Sequence, residues 1–469
     1  MSRDTTAIRG VGISLLVLAA ALYFGRSAPQ SVVIGLVAII ACLVIAYSPQ
    51  GATMLLIPTA LLVRFGLGTG TGTQLNAVTL LVPVLIGIGL IRALALGLSL
   101  EPVPRAAIPL LALNVVALIS FVNGSEPWLP LAKLAPVAAQ LGALAVFALS
   151  TSALLLVHYT IREVLWLRRL TLLFLILGVG NVISRSVPYS VARPYLEFVG
   201  PGVEGSLFWT WIISLAFSQA AFNRDLPLLA RLGLAGVLAG SLYVGLVMQR
   251  DWTSGWFPGF VAIAGAIVIR SVRGAMLVFL IGSAAVIYRL RGVIQAIYIG
   301  DNEYSLGTRL DAWSIMFQII GLNPLLGLGP ANYYWYTPLF PIRGYAVVFN
   351  SHNNYLDILA QVGILGFACF LLFAWLIGRA AWRLRTKAKP GFERAYVYGV
   401  FGGLLGTLTA GMLGDWILPF VYNIGIQGMR SSLIGWIFLG GLLALERIVN
   451  ERTDVDADAS RSGSVPFHA

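Results

Sequence analysis

Apolar runs about as long as a bilayer is thick recur along this chain, and they leave it few folds. A helix crosses roughly 30 Å of hydrocarbon with about 20 residues, and backbone amides inside lipid find partners only within a helix or a closed barrel. Cutting the sequence at its polar or Gly/Pro-rich breaks gives fourteen runs: 8–24, 31–47, 51–66, 76–97, 106–122, 132–158, 165–185, 206–222, 227–248, 254–270, 274–291, 355–381, 394–414 and 430–449. With 58% of the 469 residues hydrophobic and 11% charged, too little polar surface exists to coat a soluble domain. The chain is therefore predicted to be all-α and polytopic, with about 14 transmembrane helices. The first run follows Arg3 and Arg9, lacks a clear small-residue cleavage pattern, and reads as a first span rather than a signal peptide.

The net charge of +12 could suggest a polyanion partner, but the basic residues fall between the apolar runs, so no nucleic acid is required. Arg379, Arg383, Arg385, Lys387, Lys389 and Arg394 crowd one connection, which the positive-inside rule places in the cytoplasm. Alternation then puts both termini in the cytoplasm and 20 of the 31 Lys and Arg residues on that side. The resulting division is helices 1–11 over 1–291, an extracytoplasmic loop over 292–354, helices 12–14 over 355–450 and a disordered cytoplasmic tail over 451–469. So long a loop is functional by default. Cys42 and Cys369 lie far apart in apolar runs and supply neither a disulfide framework nor a CxxC site.

Within the loop, Thr308-Arg309-Leu310-Asp311 fits a capping pattern and predicts an amphipathic helix from Arg309 to about Ile320, stopped at Gly321 and Pro324. Arg309 in a first helical turn would join free N–H groups and a bidentate guanidinium, a geometry suited to a diphosphate. Lipid headgroups at an interfacial helix would suit it as well. Trp335, in the cluster Asn332-Tyr333-Tyr334-Trp335-Tyr336, could stack on a sugar or belong to an interfacial aromatic belt. Glu303 and Asp301 could position a sugar or simply flank the helix. His352 is the one histidine this topology places outside; at the start of the twelfth span it would stay neutral, able to act as a general base or to cap the helix. The outer loops hold no DxD pair or His/Cys cluster for a metal, so arginines must neutralise a leaving diphosphate; Arg193, Arg250 and Arg343 are further outer candidates.

Three blocks carry a resemblance. Ser305-Leu306-Gly307-Thr308-Arg309 with Trp313, then Asn323-Pro324-Leu325-Leu326-Gly327-Leu328-Gly329-Pro330-Ala331-Asn332-Tyr333, then Ser351-His352-Asn353-Asn354-Tyr355-Leu356 followed by Gln361-Val362-Gly363-Ile364-Leu365-Gly366, resemble the signature of the O-antigen ligase and polymerase family. The match covers roughly 250–450. It implies a metal-independent, inverting glycosyltransferase in the cytoplasmic membrane, needing no cofactor, that moves a glycan from a polyprenyl diphosphate carrier to an acceptor hydroxyl at the outer face. The acceptor would be a second glycan or a lipid A core. By the same resemblance Arg309 holds the diphosphate, His352 activates the acceptor, and Asn353 and Tyr355 belong to the substrate-binding block. The family often carries a Ser-Arg-Gly type motif where this chain has Thr253-Ser254-Gly255-Trp256; Arg250, just upstream, is the nearest substitute, and the departure leans toward a polymerase. The rival from another class is a lipid-linked oligosaccharide flippase, which should instead show charges within its spans and repeated halves.

Overall fold

Apolar runs become helices here wherever no breaker interrupts them. The computed structural model describes residues 48–68, 74–97, 101–284 and 302–462, with the side chains of 302–308 and 455–462 left aside. The expected spans 8–24 and 31–47, and the candidate Asp301, lie outside the described residues. Strand among the described residues is limited to one antiparallel pair, β1 (Gly66–Gly68) and β2 (Gln74–Asn76). The longer helices are α1 (Ala77–Ala95), α2 (Ile108–Asn123), α3 (Val137–Thr160), α4 (Val164–Ser186), α5 (Tyr189–Val199), α6 (Ser206–Phe222), α7 (Leu228–Tyr243), α8 (Thr253–Arg270), α9 (Val272–Ala284), α10 (Asn302–Ile320), α11 (Asn354–Lys387), α12 (Phe392–Leu413) and α13 (Met429–Ser462).

Nine helices among the described residues are long and apolar enough to cross a membrane, and α6 and α9 are shorter apolar helices. Each coincides with one of the expected runs. The run 51–66 does not form a single span: it breaks into short helices at Pro49–Met54 and Leu56–Leu62. Pro58 has no N–H to return to the carbonyl of Met54, which interrupts the ladder at that step. The backbone of α13 runs on to Ser462, beyond the boundary expected at 450.

The bundle is arranged around the last span, whose apolar stretch is 83% buried inside the protein. Small residues allow the closest approaches, as membrane packing requires. Gly402 on α12 faces the carbonyl of Ala262 on α8, Gly403 faces Trp211 on α6, and Gly440 on α13 faces the carbonyl of Leu154 on α3. A side chain at any of these positions would push two helices apart.

One span is discontinuous. α11 is interrupted at Gly363, whose φ of 66° and ψ of −170° belong to a region open essentially only to glycine. The interruption frees backbone groups on both sides, and the segment 324–329 takes them up. Leu328 and Gly329 donate N–H bonds to the carbonyls of Ala360 (2.8 Å) and Gln361 (3.1 Å), while Ile364 and Leu365 donate to Pro324 (2.8 Å) and Leu325 (3.3 Å). Irregular backbone at membrane depth is tolerated only when protein satisfies it in this way. Gly363→Ala combines a disfavoured φ with a Cβ driven into the Leu325 carbonyl, and should cost at least about 1–3 kcal/mol. Thermal unfolding in detergent tests this, with Gly378→Ala as the control, since a Cβ there meets Leu404 at 3.7 Å and Phe401 at 4.0 Å, both ordinary contacts.

Candidate active site

The break at Gly363 fixes the loop that precedes it, and the loop in turn fixes His352. Asn332 fastens the segment to two other elements: its amide nitrogen donates to the carbonyls of Gly124 (2.9 Å) and Leu328 (2.8 Å), and its oxygen accepts the Ala135 N–H (3.0 Å). The helical turn Tyr333–Tyr336 follows, placing the Tyr333 hydroxyl in a hydrogen bond to Asp357 Oδ1, on the first turn of α11. Ser351 Oγ donates to the same carboxylate oxygen at 2.7 Å and accepts the Asn353 N–H at 3.0 Å, while Trp313 Nε1 on α10 donates to the Ser351 carbonyl at 2.9 Å. Asn353 caps α11, its Oδ1 accepting from the N–H groups of Tyr355 (2.9 Å) and Leu356 (3.4 Å). Between these buried anchors His352 is exposed and left-handed, at φ 47°. A non-glycine residue in that conformation persists only where its surroundings over-determine it.

The connection 414–425 supplies the other wall. Asn354 binds it through both ends of its amide, donating to the Leu418 carbonyl at 2.9 Å and accepting the Ile417 N–H at 2.7 Å. Asp415, 1% exposed, accepts the Phe420 N–H at 2.9 Å on one oxygen and Asn423 Nδ2 at 2.6 Å on the other; the same Nδ2 lies 3.5 Å from His352 Nδ1. Aromatic rings seal the junction: Tyr333 stacks on Phe420 at 4.6 Å and Tyr334 on Tyr422 at 4.5 Å.

The electrostatics follow from burial. Desolvation, with the Arg309 cation adding to it, holds His352 below the ordinary imidazole range against the opposing pull of Asp415. Burial pushes the Asp415 carboxyl up, partly offset by its bonds from Phe420 and Asn423. Burial and the neighbouring Asp357 raise the Tyr333 hydroxyl well above its usual range. His352 is thus held neutral, able to accept a proton.

Arg309 lies on α10, half-buried, with no ion-pair partner among the described residues, and its charge reaches His352. It does not sit in a first turn. α10 begins at Asn302, so Arg309 lies in its interior and the helix end contributes little there; no proline between 302 and 308 stops the helix from starting early.

The remaining candidates lie elsewhere or have other partners. Arg343, left-handed at φ 49°, pairs with Asp311 on α10 at 2.7 Å. Arg193 pairs with Glu197 within α5 at 2.7 Å, and Arg250 is exposed beside Asp251. The side-chain oxygen of Asn353 and the hydroxyl of Tyr355 are used in the protein itself, the latter donating to the Leu408 carbonyl at 2.6 Å. Trp335 Nε1 donates to the Tyr422 hydroxyl at 2.9 Å. Glu303 lies on the first turn of α10, and its side chain is outside the described residues. No group of three or more His, Cys, Asp or Glu residues that could hold a metal occurs among the described residues.

A cleft of about 470 Å³ opens beside the 414–425 connection, lined among others by Arg64, Arg185, Glu204, Trp416 and Ser431. Arg185 forms an ion pair with Glu204, whose carboxyl burial pushes up while Arg185 draws it back. Arg64 donates to the Glu197 carbonyl at 2.6 Å. Beneath the cleft's 200–205 rim, Arg430 is 4% exposed and donates to the carbonyls of Ala60, Val199 and Pro201. Sequence reasoning passed over Arg64, which closes a run that reads as a plain span.

Residues 228–371 match the family model for O-antigen ligase. No curated protein matches the chain. The matched segment runs from α7 into α11 and contains Arg250, Arg309, His352 and Asp357, all in the half of the chain that carries the resemblance. The O-antigen ligase match and the apolar helices together describe a multi-pass membrane protein of polysaccharide biosynthesis. Asp415, Asn423 and the Arg64 cleft lie outside the matched segment.

Asp357 holds the His352 turn through two hydroxyls. Asp357→Ala would strand the buried Tyr333 hydroxyl at a cost of about 1–3 kcal/mol, while Ser351 Oγ keeps the Asn353 carbonyl as an acceptor at 2.9 Å. Thermal unfolding should show that loss, whereas Asp311→Ala, at the exposed pair with Arg343, should change stability by less than about 1 kcal/mol.

Proposed function

We propose that the protein transfers a glycan from a polyprenyl diphosphate carrier to an acceptor hydroxyl at the outer face of the cytoplasmic membrane. The observation carrying this reading is an exposed histidine in a strained turn, within the field of an arginine that has no ion-pair partner among the described residues, inside the segment that matches O-antigen ligase. His352 takes the proton of the acceptor hydroxyl as that oxygen attacks the anomeric carbon. The bond from that carbon to the diphosphate oxygen breaks, the carrier diphosphate departs with the electron pair, and Arg309 offsets its charge. One direct displacement inverts the anomeric configuration. The acceptor is a second lipid-linked glycan in a polymerase or a lipid A core in a ligase.

The cleft beside Trp416 supports the donor side of this reading. Its Arg64 side chain offers guanidinium donors to phosphate oxygens, and an indole beside them suits a sugar face. The O-antigen ligase match does not favour the flippase alternative.

Reconstitution with a polyprenyl-diphosphate glycan and candidate acceptors tests the proposal. His352→Ala should lower kcat by roughly 10²–10⁴-fold, the worth of a general base. Arg309→Ala should lower it by about 10²-fold or more. Undiminished release of carrier diphosphate in both variants would refute the assignment, and transbilayer movement of the lipid without a new glycosidic bond would refute the function.

The pH dependence has a definite sign. The imidazolium is disfavoured in the folded protein, so the base form persists below the usual imidazole pKa of about 6.5 and the acid limb of kcat/KM should fall below that value. Arg309→Gln removes a cation that opposes protonation, so the limb of the residual activity should move to higher pH. A limb that stays put in this variant would separate Arg309 from His352.

A further inference from the structure

We propose that Asn423 selects the tautomer of His352, and that the proton on Asp415 sets which tautomer it selects. The inference rests on His352 serving as the base in the reading above.

The geometry makes the base role depend on the amide. Asn423 Nδ2 is the atom nearest both partners, at 2.6 Å from Asp415 Oδ1 and 3.5 Å from His352 Nδ1. Its two hydrogens can serve both only if His352 Nδ1 is unprotonated. The neutral ring then carries its proton on Nε2, and the nitrogen facing outward is a donor that cannot take a proton. For Nε2 to act as a base, the proton must move to Nδ1, where it would confront the NH₂ group. Rotating the amide by half a turn removes the clash, because Oδ1 and Nδ2 exchange places in nearly the same space. Oδ1 would then accept from Nδ1–H, but it would also face Asp415 Oδ1, which is tolerable only if that oxygen carries a hydrogen.

Two arrangements therefore close their hydrogen bonds. With Asp415 ionised, Asn423 presents NH₂ and His352 shows Nε2–H outward. With Asp415 protonated, Asn423 presents its oxygen and His352 shows the Nε2 lone pair. Asp415 sits in surroundings that allow the second: it is 1% exposed, burial pushes its carboxyl up against the bonds from Phe420 and Asn423, and no cation is among its bonded partners in the described residues. Among the described residues, the cation that bears on His352 is Arg309. Asn423 and Asp415 are positioning residues, since neither is placed against substrate.

The test reads the ring directly. The chain has three histidines, His158, His352 and His468. Full-length protein labelled with ¹⁵N-histidine in lipid nanodiscs, with the His352 signals assigned by loss in His352→Gln, distinguishes Nδ1–H from Nε2–H at the pH of maximal transfer. The wild type should show Nδ1–H. Asn423→Leu should revert to the Nε2–H form that a free neutral imidazole prefers, with kcat down at least about tenfold; because it also takes a partner from the buried Asp415, the ring signal and not thermal unfolding is the readout. Asp415→Asn should keep Nδ1–H, since its amide N–H can replace the carboxylic hydrogen toward Asn423. Nε2–H in the wild type, or one tautomer shared by the wild type and Asn423→Leu, would overturn the proposal. Nδ1–H lost in Asn423→Leu together with no glycan transfer by any variant would keep the selector and refute the function instead.

Discussion

A membrane helix interrupted at Gly363 leaves the carbonyls of Ala360 and Gln361 and the amides of Ile364 and Leu365 without helical partners, in surroundings where water cannot supply them. The segment 324–329 answers each of these groups with its own backbone. That exchange ties loop to span through backbone groups, with glycine required at Gly363 and Gly327 for the close approach, and it sets the register of residues 330–336. Asn332, Tyr333 and the aromatic turn are placed by it, and Tyr333 then reaches Asp357. The strained turn at His352 is the last member of this chain of constraints, held by Ser351 and Asn353 on its two sides.

Charge at this end of the bundle is distributed unevenly. Two carboxylates, Asp357 and Asp415, are buried on the protein side of His352, and both are surrounded by hydrogen-bond donors rather than by cations. The arginines stand on the open side: Arg309 near His352, and Arg64 and Arg185 along the neighbouring cleft. Such an arrangement favours the neutral histidine, and in the proposed reaction it would leave guanidinium groups to meet the charge that develops on a diphosphate leaving group. The low dielectric that makes the buried acids costly also strengthens every bond that they accept.

Much of this could be read from residue order. Bilayer-length runs predict helices because nothing else satisfies a backbone in lipid, and the runs from 76 onward found in the described residues are helical nearly end for end. Arg309 and His352 stand out because each is a chemically distinctive residue in a polar stretch. What stayed hidden depends on pairing across the chain. Pro58 looks tolerable in a run judged by hydropathy, yet it splits the span. Thr308 fits a cap, but nothing upstream forbids the helix that starts at Asn302. Asn353 and Tyr355 look like binding residues until the N–H groups and the carbonyl that they serve are seen. Asp415 and Asn423 lie in another connection altogether, and only folding brings them to His352.

Glycan transfer by His352 requires that its loop and the basic connection after α11 lie on opposite sides of the membrane, the loop outside. Cysteine accessibility tests this most directly. With Cys42 and Cys369 replaced by serine, single cysteines would be placed at Val347, which is 45% exposed in the loop before His352, and at Lys387, at the far end of α11. In sealed right-side-out vesicles a membrane-impermeant maleimide should label the cysteine at 347 and spare the one at 387 until detergent is added. Labelling at 387 with protection at 347 would place His352 on the cytoplasmic face and contradict the proposed chemistry.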